Sequence, residues 1–416
     1  MSLTDSASAG LNAAQQTLGA VGQNLANSNT MGYKESAPIF QQLYEETLSG
    51  GTAPTTTTGG TNPIQVAAGG SVGLAAMETD ESEGSIDSTG VPSNLAISGN
   101  GYFVVQTGNG QAYRRSGDFT LNAQGTLVDS NGDEVQGWSP ATVSAGTQDA
   151  LNLTTLSIPV NSQLAPSASA NLTVTGNLDA STLGATVKES LPITVYDSQG
   201  NAISATLQFS NPTAAAPGVT WTVGLSYGSP PTSLTGGTFT FNPTATPQWT
   251  GGPFTFNIPT TDGSTNPLAV KLAATDLSQL TSYAATETAA ATADGYPSGT
   301  LTNYSIGNTG VITGTYSNGE TQTLGQIALA VVPNQQGMAL NGNNNYIVSP
   351  NAGTPQVGQA GSGPFGSLVG GSLEASNVNM SQQFTAMIGA QEDFSANSKL
   401  LTVDQQDDST LIGSVQ

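Results

Sequence analysis

Residues 4–25, TDSASAGLNAAQQTLGAVGQNL, contain a periodic pattern that indicates how the two ends of this chain are organised. Apolar or small residues recur in this stretch at alternating steps of three and four, which is the spacing of a heptad seam along one side of an α-helix. An ordinary amphipathic helix packed on a domain would show the same periodicity. The seam holds few large side chains, however, so a lone helix of this length needs a partner. The seam positions are Thr4, Ala7, Leu11, Ala14, Leu18, Val21 and Leu25.

The other end of the chain, residues 377–416, shows a related apolar stripe, which polar residues such as Gln391 and Ser398 interrupt. A stripe with such gaps is typical of a partly exposed helix. Because almost no convincing long helix is predicted between the two ends, we predict that the first and last helices pair as a coiled-coil-like terminal domain. The candidate assembly residues are Leu11, Leu18, Val21 and Leu25 of the first helix and Met380, Phe384, Met387, Phe394 and Leu401 of the last helix.

The chain between the two predicted helices has the pattern of short antiparallel strands. From about residue 70, apolar or alternating runs are broken by SGNG, TGNG, NAQG and SNGD. Gly and Asn tolerate the positive φ angles that tight hairpins require, so these breaks predict turns. Residues 146–283 repeat the pattern with more Pro and Thr, and residues 299–330 return to strands. The last of these stretches could form a third domain or continue the first β-domain.

The predicted fold is mainly β with α-helical termini, and its nested β-domains are inserted between the two helices. The run of Thr and Gly at residues 52–61 predicts an extended or flexible linker. The predicted parts are a terminal helical assembly domain of residues 1–30 and 375–416, an extended linker of residues 31–69 and 359–374, an inner β-domain of residues 70–145 and 284–358, and an outer β-domain of residues 146–283.

The composition excludes several classes of function. Six Lys and Arg against 28 Asp and Glu give a net charge of −22, which would repel a nucleic-acid backbone. The chain has no Cys and no His. It therefore lacks the usual zinc and copper ligands and every Ser/His or Cys/His pair. Hydrolysis by paired carboxylates or a Ser/Lys pair remains chemically possible, but we predict no enzyme activity, no cofactor and no catalytic or metal-binding residues.

The sequence gives conflicting indications of where the protein acts. Its start, MSLTDSASAG, has neither a basic nor an apolar region, so no cleaved signal peptide is predicted. No stretch approaches the roughly 18 apolar residues of a membrane span, and we predict no membrane association. The scarcity of Lys and the abundance of Thr, Ser, Asn and Gly are nevertheless more typical of a protein outside the cell.

One acidic motif resembles the opening of a calcium-binding loop. Asp129, Asn131 and Asp133 have the correct spacing, but Glu134 replaces the required Gly and Pro140 replaces the required Glu. We therefore predict an Asx-stabilised turn between two strands at this position.

The only basic doublet of the sequence is Arg114 and Arg115. We predict that these residues form an exposed pair on a strand, in contact with nearby carboxylates. Exposed ion pairs contribute little to stability.

The stretch NLANSNTMGYK at residues 24–34 resembles the N-terminal signature of bacterial flagellar rod and hook proteins, whose pattern is close to NIANxxTxGYK. Further similarity to this family follows in the segments NLAISGNGYFVVQ, YRRSGDFTLNAQGTLVDSNGDEVQGW and SLEASNVNMSQQFTAMIGAQEDFSANSK. The resemblance therefore covers nearly the whole chain. The signature residues that match are Asn24, Ala26, Asn27, Thr30, Gly32, Tyr33 and Lys34.

The resemblance implies a structural subunit that self-assembles helically into the flagellar hook, a curved flexible tube that transmits motor torque from the rod to the filament. Residues 146–283 favour the hook over the rod, because rod proteins lack the extra middle domain. The implied partners are other copies of the chain, the rod, hook-cap and hook–filament junction proteins, and the flagellar type III export apparatus. The implied location is outside the cell, reached without a cleaved signal peptide. A distal rod protein and a secreted β-rich adhesin are the alternatives.

Two positions depart from the family pattern. Glu392 stands where the family commonly has Arg, and Phe394 stands where it commonly has Tyr. A contact made by that Arg is therefore not expected in this chain.

Overall fold

The structure, a computed structural model, describes residues 3–42, 46–49, 64–66, 72–160, 162–182, 188–215, 218–243, 248–260, 263–265 and 267–414. The fold is mainly β with a helix at each end, as predicted. The linker predicted at residues 52–61 lies outside the described residues. The chain divides into two compact units.

The first unit consists of Met1–Pro159, Tyr304–Thr313 and Thr323–Gln416. Its N-terminal part contains a long helix, a series of strands and one short helix. These elements are α1 (Leu3–Ala26), β1 (Ser36–Gln42), β2 (Glu46–Ser49), β3 (Ile64–Val66), β4 (Val72–Thr79), β5 (Ile86–Ser88), β6 (Asn94–Ser98), β7 (Tyr102–Thr107), β8 (Gly110–Arg114), β9 (Gly117–Asp118), β10 (Thr120–Leu121), β11 (Leu127–Val128), β12 (Glu134–Trp138), α2 (Pro140–Ala145) and β13 (Thr154–Thr155).

The second unit consists of Val160–Asn303 and Gly314–Gln322. Its four longest strands have 9 to 14 residues, more than any described strand that lies wholly within the first unit. The strands of the second unit are β14 (Gln163–Leu164), β15 (Leu172–Asn177), β16 (Lys188–Tyr196), β17 (Ala202–Ala215), β18 (Gly218–Tyr227), β19 (Thr232–Asn242), β20 (Gln248–Gly251), β21 (Phe254–Ile258), β22 (Leu268–Leu272), β23 (Gln279–Thr281) and β24 (Ala290–Ala293).

Three strands contain residues of both units: β25 (Gly299–Ile306), β26 (Val311–Tyr316) and β27 (Thr321–Val331). The chain then completes the first unit and ends in its longest helix. The closing elements are β28 (Met338–Leu340), β29 (Asn345–Val348), β30 (Gln356–Gln359), β31 (Ser367–Gly370), β32 (Ser372–Glu374) and α3 (Met380–Ser414).

The sheet of the first unit joins strands from the two halves of the chain. Its central order is β27-β12-β7-β8-β29-β28. In this sheet Val135 lies opposite Val105, and Leu329 lies opposite Phe103. Strand β27 thus pairs with β7 and β12, so its residues continue the first β-domain and do not form a third. The division into four parts with the predicted boundaries stays a prediction.

The second unit is built on an antiparallel meander of β16, β17, β18, β19 and β20. Buried and more exposed residues alternate along β17 and β18, because successive side chains of a strand point to opposite faces. Large aromatic side chains such as Phe209 and Trp221 are fully buried in its core. The indole nitrogen of Trp221 donates a hydrogen bond to the hydroxyl of Ser282 over 2.9 Å. The unit therefore has a hydrophobic core of its own.

The predicted Asx turn is confirmed. The Oδ1 atom of Asp129 accepts hydrogen bonds from the backbone nitrogens of Asn131, at 2.8 Å, and of Asp133, at 2.9 Å. Gly132 closes the turn with a φ of 88°, a conformation that glycine adopts easily. The motif joins β11 to β12 and thus has a structural role.

Candidate assembly site

The two terminal helices pack against each other in antiparallel directions. Gly10 of α1 lies so close to α3 that an added Cβ would be 2.7 Å from the side chain of Asn397. At the other end of the pair, Asn24 donates a hydrogen bond to Gln383. The predicted pairing of the first and last helices is therefore confirmed within one chain.

The seam that α1 presents follows the predicted heptad positions. Ala7, Ala14 and Val21 are buried, while Leu11, Leu18 and Leu25 are half-buried. The side chain of Thr4 lies outside the described residues. Small side chains therefore form the deepest layer of this seam, with the leucines at its borders.

The seam on α3 differs from the predicted apolar stripe. Its buried residues are Gln383 and Ala390, and Met387, Asn397 and Leu401 are half-buried. The stripe residues Met380, Phe384 and Phe394 are 47%, 49% and 36% exposed and are not buried against α1. The sequence pattern missed the polar seam because a polar side chain is accepted in a buried position only when it finds partners, and these partners are distant in sequence. The assembly role of the exposed residues stays a prediction.

Asn24 is the polar centre of the contact between the helices. It is 2% exposed, and its amide nitrogen donates to the backbone oxygen of Ser36, at 2.8 Å, and to Gln383 Oε1, at 3.2 Å. Its amide oxygen accepts hydrogen bonds from the hydroxyl of Tyr33, at 3.1 Å, and from the backbone nitrogen of Ser36, at 3.0 Å. Gln383 in turn donates to Glu35 over 2.7 Å. Both donors and both lone pairs of the buried amide are thus satisfied.

The remaining signature residues shape the turn that follows α1. The hydroxyl of Thr30 donates to the Asn27 side chain over 3.1 Å. Gly32 has a φ of 69°, and its backbone nitrogen donates to the backbone oxygen of Glu374 over 2.8 Å. Ala26 is exposed at the last residue of α1. Most of the signature therefore directs the chain from α1 toward the residues that precede α3.

Replacing Gly32 by Ala should destabilise the protein more than replacing Gly90 by Ala. The two glycines have φ angles of 69° and 70°, so both substitutions carry the left-handed backbone cost of about 1–2 kcal/mol. A Cβ on Gly32 would lie 2.7 Å from the backbone nitrogen of Ser116, whereas a Cβ on Gly90 would meet no atom within 4 Å. We expect about 1–3 kcal/mol of additional loss at Gly32, measured by thermal unfolding. Equal losses in the two variants would contradict this account of the turn.

A buried ion cluster ties three parts of the chain together. The carboxylate of Glu374, which precedes α3, binds Lys34 Nζ and Arg115 Nε, each over 2.6 Å. Arg115 also donates to the backbone oxygens of Gly99 and Gly101, each over 2.8 Å. The exposed fractions of Lys34, Arg115 and Glu374 are 5%, 7% and 1%. The cluster therefore joins three parts of the first unit: the N-terminal signature, the residue that follows β8 and the segment leading to α3.

The first residue of the basic doublet, Arg114, is also buried. It forms ion pairs with Asp118, at 2.6 Å, and with Asp129. Its Nε donates to the backbone oxygen of Ser116 over 2.9 Å, and its guanidinium lies 5.8 Å from the ring centre of Phe119. The prediction that Arg114 and Arg115 form an exposed pair is therefore wrong, although the predicted carboxylate contacts are present. The core accepts both charges because each has charged and backbone partners.

The electrostatics of the cluster favour the ionised form of Glu374. Burial alone would raise the pKa of its carboxyl group, but the charges of Arg115 and Lys34 and their hydrogen bonds hold that pKa below its usual value. The nearby Glu81 has no such ion pair, and burial raises its pKa despite a hydrogen bond from Tyr102. Glu374 is therefore the anion that balances the two buried cations.

The described part of the chain contains no group of three or more Asp or Glu residues placed to hold a metal ion. Within the same ranges, no helix has the length and hydropathy needed to cross a membrane.

Comparison with known proteins identifies the family. The flagellar hook protein FlgE of Escherichia coli strain K12 is 33% identical to this chain, over 97% of each sequence. The flagellar hook protein FlgE of Borreliella burgdorferi is 32% identical, over 95% of this chain and 96% of its own. The chain belongs to the flagellar hook protein family. The resemblance seen in the sequence is thereby confirmed, and this hook-family chain is a structural subunit of the flagellar hook.

Two family models agree with this assignment, and one solved structure has a similar fold. Residues 96–178 match the flagellar hook protein FlgE/F/G D1 domain, and residues 369–413 match the C-terminal domain of flagellar basal body rod FlgEFG proteins. The crystal structure of the Helicobacter pylori flagellar hook protein FlgE2 is similar in fold, with a TM-score of 0.53 and 16% identity. The match covers 68% of this chain and 98% of that one. Of the residues in the buried ion cluster, Arg115 lies within the region that matches the D1 domain, and Glu374 lies within the region that matches the C-terminal domain.

We call the buried cluster of Lys34, Arg115 and Glu374, together with the contacts of Asn24 and Asn377, the joint. Sequence patterns did not indicate several of its residues. Asn377 accepts a hydrogen bond from the backbone nitrogen of Glu35 over 2.7 Å and donates to the backbone oxygen of Asp80 over 2.8 Å. The sequence did not indicate a structural role for Glu374 or Gln383 either. Glu374, Asn377 and Gln383 all lie in the C-terminal segment that resembles the hook family. This resemblance is the feature of the sequence that could have indicated them. No periodic pattern marks them, because each binds residues far away in the sequence.

Proposed function

We propose that this chain polymerises helically through its terminal helices into a curved, flexible hook that carries motor torque from the rod to the filament. The observation that carries this proposal is the buried cluster of Lys34, Glu374 and Arg115, which fixes both terminal helices to the inner β-domain. A subunit that transmits torque needs such a joint, because force on its helices must reach its outer parts without unfolding the chain between them.

The geometry of the joint suits this task. Glu374 binds both cations with charge-assisted hydrogen bonds of 2.6 Å, which are stronger than hydrogen bonds between neutral groups. Its Oε1 also accepts a hydrogen bond from the backbone nitrogen of Gly84 over 3.0 Å. Force on α3 is therefore distributed over several contacts in the inner β-domain and does not pass through one peptide segment alone.

The helix pair itself supports polymerisation. Large apolar side chains on α3 remain exposed in the single chain, and Ile388 and Val403 are 58% and 54% exposed. Apolar surface of this kind usually marks an interaction site. The assembly residues are Leu11, Leu18, Val21 and Leu25 of α1, which support the helix pair, and Met380, Phe384, Met387, Phe394 and Leu401 of α3, several of which other copies would cover.

The β-domains between the helices would control bending. Only 8% of the residues are charged, and the chain has 51 glycines. Uncharged, hydrated surfaces rich in Thr, Ser, Asn and Gly allow many interchangeable weak contacts in place of a few deep anchors. Such contacts would let neighbouring subunits slide as the hook rotates.

The partners and location follow from this role. The hook would contact the rod below it, the hook cap during growth and the hook–filament junction proteins above it. The chain would leave the cell through the flagellar type III export apparatus, and it would have no enzymatic activity and no nucleic-acid or membrane partner.

Electron microscopy of the purified full-length chain tests this function. Under conditions that favour assembly, we expect tubes that are curved, because contacts between β-domains can adjust. A straight tube would favour the distal rod alternative. Single, unpolymerised molecules at all concentrations would overturn the proposal and favour the adhesin alternative.

A further inference from the structure

One side of α3 carries three large apolar residues that its own chain leaves uncovered. Met380, Phe384 and Ile388 are 47%, 49% and 58% exposed. They are spaced four residues apart, so they lie along one side of the helix on successive turns. We call these three residues the apolar ridge.

A face of α1 has the opposite character. Six of its residues recur at alternating steps of four and three and are all exposed: Ser8, Asn12, Gln15, Gly19, Gly22 and Ala26. The last three, which we call the glycine face, have very small side chains or none. A Cβ added to Gly19 or Gly22 would meet no atom within 4 Å, so packing within the chain does not explain either glycine. Glycine is a poor residue for a helix interior, and the close approach of another group is one physical reason for a glycine to occur there.

The register of the helix pair places the two features at the same height. Gly10 lies against Asn397, and Asn24 contacts Gln383. Both contacts belong to one antiparallel register, in which Gly19 is level with Ile388 and Gly22 is level with the residue after Phe384. A second copy shifted sideways could therefore bring its ridge to the first copy's glycine face.

We propose that the apolar ridge on α3 of one subunit packs into the glycine face on α1 of a second copy of this chain. The inference rests on the proposed function and specifies the contact through which the helices polymerise. It extends the α1–α3 seam that already exists within each chain, with the absence of side chains at Gly19 and Gly22 making room for Phe384 and Ile388. No charged residue belongs to either feature, so the contact needs no buried ion pair.

The contact joins two different surfaces, which has a consequence for assembly. Each subunit offers one ridge and one glycine face, so every bound copy leaves a free ridge at one end and a free face at the other. Such heterologous contacts produce rings or open helical assemblies, whereas a contact between identical surfaces ends at a dimer. The proposed contact is therefore of the kind that a helical tube requires.

Disulfide cross-linking between copies tests the contact directly, because the chain has no cysteine of its own. The variants Gly22→Cys and Phe384→Cys are mixed, assembled with wild-type chains until tubes are seen by electron microscopy, and oxidised. We expect a covalent dimer that contains one copy of each variant. The matched control replaces Phe384→Cys by Thr385→Cys, a neighbouring exposed position that points away from the ridge. No dimer from the first pair, or equal yields from both pairs, would overturn the inference.

Filling the glycine face tests its role in assembly. We expect Gly22→Leu to raise the critical concentration for polymerisation about tenfold or more, because the added side chain occupies the space that the ridge needs. Gln16→Leu, an exposed substitution on another side of α1, should change it less than about twofold. If wild-type chains never polymerise, the proposed function fails. If wild-type and Gly22→Leu chains polymerise equally well, only the ridge contact fails.

Discussion

Removing residues 1–30 or residues 377–416 should abolish tube formation while leaving the β-domains folded. The first deletion removes α1 and with it Asn24, so Gln383 loses its partner across the helix pair. The second deletion removes α3 and the exposed apolar residues that other copies would cover. Each truncated chain lacks one half of the seam, and most of the stability of a helix in a protein comes from packing against a partner.

Sedimentation and electron microscopy measure the loss of tubes, and tryptophan fluorescence provides the control. All three tryptophans, Trp138, Trp221 and Trp249, are buried in the β-domains and lie far from the deleted residues in sequence. Their emission should keep the blue-shifted maximum of a buried indole in both truncated proteins. If either truncated chain with this emission still forms tubes, the terminal helices do not drive polymerisation.

Glu374→Gln should destabilise the first unit by about 3–5 kcal/mol, the usual result of removing one partner from a buried ion pair. Lys34 and Arg115 are 5% and 7% exposed, so both would remain buried without their common anion. Urea unfolding monitored by circular dichroism measures the change. Glu78→Gln is the control, since Glu78 is exposed on β4, and its effect should stay within about 0.5 kcal/mol.

The difference in stability between the wild-type and Glu374→Gln proteins should also depend on pH. Folding lowers the pKa of this carboxyl group, so its contribution to stability is complete above the unfolded value of about 4.3 and is lost as the pH falls through the lower folded value. The wild-type and Glu374→Gln proteins should therefore approach each other in stability in strong acid. Glu81, whose pKa is raised, acts in the opposite direction in both proteins. A difference that stays constant from pH 7 down through the folded pKa would contradict the role assigned to the Glu374 charge.

Helix pairing and β-rich architecture could be predicted because both leave local, periodic patterns. The heptad spacing of Ala7, Ala14 and Val21 belongs to one helix and is visible without knowledge of its partner. The turn at Asp129 was also predictable, since an Asx turn is formed by residues only a few positions apart. In these cases the physical cause lies within a single stretch of sequence.

The joint could be located by family resemblance, but its chemistry could not be predicted. The signature NLANSNTMGYK contains Asn24 and Lys34, and nothing in it indicates that Asn24 bonds to Gln383 or that Lys34 bonds to Glu374. The prediction that Arg114 and Arg115 form an exposed pair was wrong for the same reason: their partners could not be identified from the sequence. A charged doublet on a strand is usually exposed, and only its distant carboxylates make burial possible.

Composition and periodicity are properties of the chain alone, and they were sufficient to predict helical ends, a β-rich middle and the absence of cysteine or histidine chemistry. Tertiary structure decided which residues hold these parts together. Lys34, Arg115 and Glu374 are separated by dozens to hundreds of positions, and the stability of a buried charge depends on whether its partner arrives at hydrogen-bonding distance. Tertiary structure likewise decided which side of α3 faces α1, because the polar seam of Gln383 and Asn397 is acceptable only where α1 supplies Asn24 and the space at Gly10.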